Sequence, residues 1–189
     1  MKINISRRRV KTIFAKWGGL ILAAALVVPI AILSTTYLYA NNRVDNTISW
    51  VTQNITIVNF DVAKPMPEIP GSAIYYLSIS IYNDTPTSAH ISITDAKMSL
   101  GDLNLAIIGS AGWQGNIAEN SLLVFGGGIA ISPDDAQQLG DQTLVMVITG
   151  TITAKVHFAF IEKEETRQFK ITTEAVIPPP STVTPTATE

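Results

Sequence analysis

Ala73–Tyr82 reads AIYYLSISIY. Tyr75, Leu77, Ile79 and Ile81 recur at period two on one face, and Ser78 and Ser80 take the other. That alternation predicts a strand with one buried face. Asn83-Asp84-Thr85-Pro86 follows and supplies turn chemistry. The chain on both sides repeats this pattern of short alternating runs broken by turn residues.

Upstream, Ile55 and Ile57 give way to Val58, Phe60 and Val62, a change of phase that calls for a bulge or a turn between sheets. Lys64–Gly71, with three prolines and a glycine, reads as a loop. Downstream, His90–Ile93 and Ala96–Leu100 alternate again. Gly101-Asp102 fits a two-residue hairpin with glycine at the first central position, as a type II′ turn requires. Leu103, Leu105 and Ile107 continue beyond it. Gly109–Asn120 reads as a loop and Ser121–Phe125 as a strand. Gly126-Gly127-Gly128 interrupts that strand as a bulge or a sheet-crossing corner. Ser132–Gly140 is the helix signal of this region. Ser132 is the N-cap, Pro133 the first helical residue, Asp134 and Asp135 complement the helix dipole, and Gly140 stops it. Thr143–Phe160 is a long strand, Glu162–Glu165 a charged turn, and Phe169–Ile177 the closing strand. Antiparallel strands without strand–helix alternation point to an all-β sandwich.

Before the β region stands Trp17–Ala40, 24 residues without a charge. A helix of roughly 20 apolar residues crosses a bilayer core, so this segment is expected to be a single uncleaved transmembrane helix. It is longer than the apolar core of a signal peptide, and Leu38 spoils an A-x-A site ending at Ala40. Trp17 at one end and Tyr37 and Tyr39 at the other suit the interfaces. Lys2, Arg7, Arg8, Arg9, Lys11 and Lys16 precede the span with no acid among them, which places that end in the cytoplasm and the β domain outside. The expected organisation is a basic tail 1–16, a span 17–40, a polar stem 41–47, a sandwich 48–179 and a Pro/Thr tail 180–189.

Residues 17–189 hold seven basic against 15 acidic side chains. An acidic domain argues against a nucleic-acid partner. The chain has no cysteine, so disulfides and thiolate metal sites are excluded.

The order strand with an Asn/Pro turn (Ile79–Pro86), hairpin (Ala96–Ile107), capped helix (Ser132–Gly140), long strand with an internal glycine (Leu144–Phe160) and closing strand stopped by prolines (Phe169–Pro179) resembles the late-embryogenesis-abundant type 2 family, whose module is the water-stress hypersensitive response (WHy) domain. The resemblance covers roughly 48–179. Asp84-Thr85 separates the Asn and Pro that the family usually holds adjacent, and the Gly126–Gly128 run is unusual in it. The resemblance implies an immunoglobulin/fibronectin-III-like antiparallel β-sandwich with no catalytic residues and a role in stress protection or at the membrane surface.

No reaction is legible. G-x-S-x-G and the phosphate-loop pattern are absent. His90 and His157 stand 67 positions apart without an H-x-x-x-H pattern, which makes a poor metal signature. Glu162, Glu164, Glu165 and Glu174 lack the spacing of a calcium loop. Asn54-Ile55-Thr56 and Asn83-Asp84-Thr85 are glycosylation sequons, with Asn83 the more accessible in its turn. Trp113, in a glycine-rich loop, either meets a partner or covers an open end of the sandwich. The expectation is a non-enzymatic, membrane-anchored exterior binding or protective module without cofactor or metal. Its partners are lipid through the helix and a protein at an exposed strand edge. The alternative is a structural or accessory subunit of a cell-surface assembly.

Overall fold

A computed structural model describes residues 7–176, apart from 66–72 and 140–142. Most of the expected proline loop, Gly140 and the Pro/Thr tail lie outside these residues. The chain divides into two compact units, 1–42 and 43–189.

Helix α1 runs over Arg7–Gln53, through Pro29. In the first unit its apolar side chains point outward: Leu20, Leu22, Leu26, Leu33 and Leu38 expose 59–67% of their surface. The Thr35 and Thr36 hydroxyls donate back to the carbonyls of Ala31 and Ile32 at 2.9 and 2.8 Å, so neither leaves a polar group unpaired on an apolar helix. This helix is long and apolar enough to cross a membrane.

The second unit opens with the last turns of α1. The polar stem expected at 41–47 is corrected here, because the helix continues unbroken to Gln53. Val44, Ile48 and Val51, at i, i+4 and i+7, are buried to 0–1% exposure and form a helical core stripe. The β domain therefore starts at Arg43, with helix, rather than at residue 48.

The strands are β1 (Ile55–Pro65), β2 (Ala73–Asn83), β3 (Ala89–Leu100), β4 (Leu103–Ala106), β5 (Gln114–Ile117), β6 (Ser121–Ile131), β7 (Thr143–Phe158) and β8 (Ile161–Val176). Helix α2 (Pro133–Leu139) joins β6 to β7. Every ladder is antiparallel. One sheet has the order β1-β2-β6; the other has β4-β3-β7-β8, with β5 also on β3. The inward faces form the core. Tyr75, Leu77, Ile79 and Ile81 are fully buried, as their period requires, with Ile91, Ile93, Ile148 and Ile152 from the larger sheet. Each such aliphatic side chain contributes about 1.5–3 kcal/mol on burial.

Local signals mostly hold. The phase change in β1 is a register shift between Ile57 and Asn59, with Val58 unpaired and exposed. Leu100 pairs with Leu103 across Gly101, whose φ is +57°. Ser132 Oγ accepts from the Asp135 backbone N–H at 3.1 Å and donates to its carboxylate at 2.6 Å, which caps α2.

Four expectations are corrected. His90–Ile93 and Ala96–Leu100 are one strand, β3, interrupted by a bulge between Thr94 and Lys97 where Asp95 has φ +54°. The Gly109–Asn120 loop contains a 3-10 turn at Ser110–Gly112 and the strand β5. The turn between β7 and β8 is Ala159-Phe160, so Glu162–Glu165 lie within β8. Gly126–Gly128 is neither bulge nor corner, since β6 crosses it in unbroken register with β2.

Candidate functional site

Asn83 ends β2 fully buried. Its Nδ2 donates to the carbonyls of Thr87 and Ala118, both at 2.9 Å. Its Oδ1 accepts from the Thr85 N–H at 3.2 Å and the Thr85 hydroxyl at 2.7 Å. The amide thus ties the β2–β3 turn to the turn before β6. Thr85 Oγ1 lies 2.9 Å from Thr47 Oγ1, which extends the network to α1. The expectation that Asn83 is the more accessible sequon is corrected, because its side chain is fully buried. Asn54 is the more open sequon. It follows the end of α1, half-buried, and its Nδ2 donates to the Trp50 carbonyl at 2.9 Å.

Of the two readings of Trp113, the structure describes a side chain packed within the domain, with 4% of it exposed. Its indole N–H donates to the Gly126 carbonyl at 2.8 Å, and its ring stacks on Phe125 at 6.0 Å. It bridges the edge of one sheet to the other. A Cβ on Gly127 would lie 2.6 Å from Ile107 Cγ2 and 3.0 Å from the Trp113 ring, and this close approach is what the glycine serves. Ile108 and Gly128 exchange backbone hydrogen bonds of 2.7 and 3.0 Å beside it.

The outward faces of the two sheets differ. On the smaller sheet Tyr76, Tyr82, Leu122 and Val124 expose 44–56% of their surface. On the larger sheet the outward residues include His90, Lys155, His157, Glu162, Glu164 and Lys170, all exposed.

That charged face holds a groove of about 270 Å³, lined by Ser88, Ala89, His90, Asn116, Lys155 and His157. His90 on β3 pairs with Asn116 on β5 and with Lys155 on β7. His157 lies two residues beyond Lys155, so it is the diagonal cross-strand neighbour of His90. The His90 Nδ1 to Asn116 Oδ1 distance is 2.8 Å. An amide oxygen only accepts, so Nδ1 is the donor in this pair. Lys155 Nζ is 2.7 Å from Glu162 Oε1. That contact raises the Lys155 pKa and lowers that of Glu162, in each case first through the hydrogen bond and then through the opposite charge. The histidines, 67 positions apart in sequence, share one groove through strand pairing, and no sequence spacing encodes that.

Among the described residues no three His, Cys, Asp or Glu side chains group as metal ligands. Glu165 pairs with Arg167, and Asp135 serves the α2 cap.

No protein-family model and no curated protein sequence matches the chain. Solved structures similar to it include a proposed late embryogenesis abundant (LEA) protein at 11% identity and TM-score 0.31, covering 79% of this chain and 89% of that one. A protein from Arabidopsis thaliana is similar at 11% identity and TM-score 0.37, covering 67% and 82%. The structural-genomics target SoR45 is similar at 11% identity and TM-score 0.36, covering 62% and 85%.

Proposed function

We propose that this chain is a single-pass membrane protein whose exterior immunoglobulin/fibronectin-III-like β-sandwich, of the WHy type, is a non-enzymatic binding or stress-protective module. The observation that carries the reading is α1. It presents an uncharged, largely apolar surface between Trp17 and Tyr39, with its large hydrophobic side chains 52–67% exposed. Such a surface is stable only in contact with lipid or protein. The basic residues before it and the acidic balance after it favour a cytoplasmic start and an exterior domain. Two antiparallel sheets, the Asn83 turn and the capped α2 support the WHy-type reading of the domain.

The subunit reading, with a partner strand added at an edge, has less support. β1, which pairs only with β2 among the described residues, carries a bulge, and β8 carries charged residues along its length. Both devices oppose strand addition.

The test is fractionation with and without residues 17–40. The full chain is expected to stay in carbonate-washed membranes and to lose its β domain to protease added from outside the cell. A full chain found in the soluble fraction overturns the anchor, and protection from external protease overturns the orientation.

A further inference from the structure

We infer that the groove between β3 and β7 binds a divalent transition-metal ion of the imidazole-preferring kind, zinc, copper or nickel, through His90 and His157. The inference is independent of the anchor and of the proposed module.

Three observations carry it. First, His90 and His157 are exposed, project from the same face of one sheet and line the same groove of about 270 Å³. Their register makes them diagonal cross-strand neighbours, a separation of roughly 7–8 Å that two imidazoles can span around one ion. Second, the Nδ1 of His90 donates to Asn116 Oδ1 at 2.8 Å. A metal-ligating histidine characteristically hands its other ring N–H to a carbonyl or carboxylate in this way, which fixes the tautomer and aims Nε2 at the ion. Asn116 is the positioning residue. Third, the groove's surroundings suit a cation better than an anion. Its one lysine is already held by Glu162 at 2.7 Å, and Glu162 stands opposite His157 across the β7–β8 ladder. An anionic ligand would compete with Glu162 for Lys155 and enter an acidic domain. A cation meets two imidazole lone pairs and a favourable field. Water or a group from a ligand or a second molecule completes the coordination.

The chain contains two histidines and no cysteine, so mutagenesis of two positions removes every imidazole. The experiment is calorimetric titration of untagged full-length protein in detergent micelles with zinc chloride and, separately, nickel chloride. The expected result is one saturable ion per chain, weakened at least tenfold by His90→Ala and at least tenfold by His157→Ala. The variants His90→Gln and His157→Gln, which keep polarity at exposed positions, are expected to show the same loss with an unchanged circular-dichroism spectrum. Asn116→Ala is expected to weaken binding about tenfold and Asn116→Asp, which retains the acceptor, to restore it. Absence of saturable binding up to about 1 mM ion, a Kd that corresponds to about 4 kcal/mol, overturns the site. So does binding that survives either histidine variant, and binding indifferent to Asn116 overturns its positioning role.

Discussion

Along one side of the β domain, β6 meets the segment between β4 and β5 through the Ile108–Gly128 backbone pair, and Trp113 lies across the join. Along the other side β1 and β8 run with no ladder between them among the described residues. The closed side needs residues that let backbones approach: Gly127 accepts Ile107 and Trp113, which a Cβ at that position would crowd. The open side needs residues that refuse a neighbour: the Val58 bulge on β1, and Lys163, Glu165, Arg167 and Glu174 on β8. At one end of the open side the last turns of α1 take the place of a ladder. They run into β1, and Asp45 reaches Lys163 of β8 at 2.7 Å. Arg43 lies 5.0 Å over the Phe158 ring at the β7–β8 hairpin. Two sheets thus enclose one core with a stitched seam on one side and a helix plugging part of the other.

The largest expected effect tests the plug. A soluble form beginning at Asn54 lacks Val44, Ile48 and Val51, each worth about 1.5–3 kcal/mol of burial, against a typical total stability of about 5–15 kcal/mol. It is expected to show no cooperative thermal transition, whereas a form beginning at Arg43 shows one. Equal melting of the two would mean that the open side closes without the helix.

On the stitched side, Trp113→Ala is expected to cost about 3–5 kcal/mol in urea unfolding. Trp113→Phe loses the bond to the Gly126 carbonyl and is expected to cost about 1 kcal/mol beyond its smaller packing loss. Gly127→Ala is expected to cost about 1–3 kcal/mol by overpacking. Gly126→Ala, with nothing within 4 Å of the added Cβ, serves as its control and should lie within about 0.5 kcal/mol of wild type. If the two glycine variants behave alike, the close approach at Gly127 does not hold the seam.

The smallest effects belong to the open side and its charges. Lys163→Ala is expected to lower stability by less than about 1 kcal/mol, an effect that salt reduces. The Lys155–Glu162 pair is solvent-exposed, so its signature is titration rather than stability. The Glu162 pKa is lowered, so what the pair adds is present above the unfolded carboxylate range and lost as pH falls through the folded value. The Lys155 pKa is raised, so the same contribution is lost at the alkaline end as pH rises through the folded value. NMR titration of Glu162 should show a midpoint below that of an unpaired glutamate, and Lys155→Met should return it to that range.

The elements of the β domain are legible to different degrees. β2 was readable because one face alternates without exception from Tyr75 to Ile81. The α1 end is masked in the sequence although Val44, Ile48 and Val51 have helical spacing. Asn41, Asn42, Arg43, Asp45 and Asn46 make its average polar, and a polar average reads as a stem. The Glu162–Glu165 run read as a turn for the same reason, whereas a strand on an open edge tolerates charge.

What the sequence determined alone is what depends on neighbours in the chain. It set the apolar span, the alternating faces, the Val58 phase change, the glycine at the hairpin turn and the Ser132 cap, because periodicity and capping act within a few residues. What only the tertiary structure decided is what depends on distant groups converging. Asn83 looked like an open turn residue until the Ala118 carbonyl, 35 positions away, met its amide. Trp113 had two open readings until the fold set it against Gly127, and His90 and His157 were unrelated until β3 paired with β7. Hydropathy encodes which face of an element is buried. It does not encode which carbonyl, ring or imidazole from another element will be waiting there.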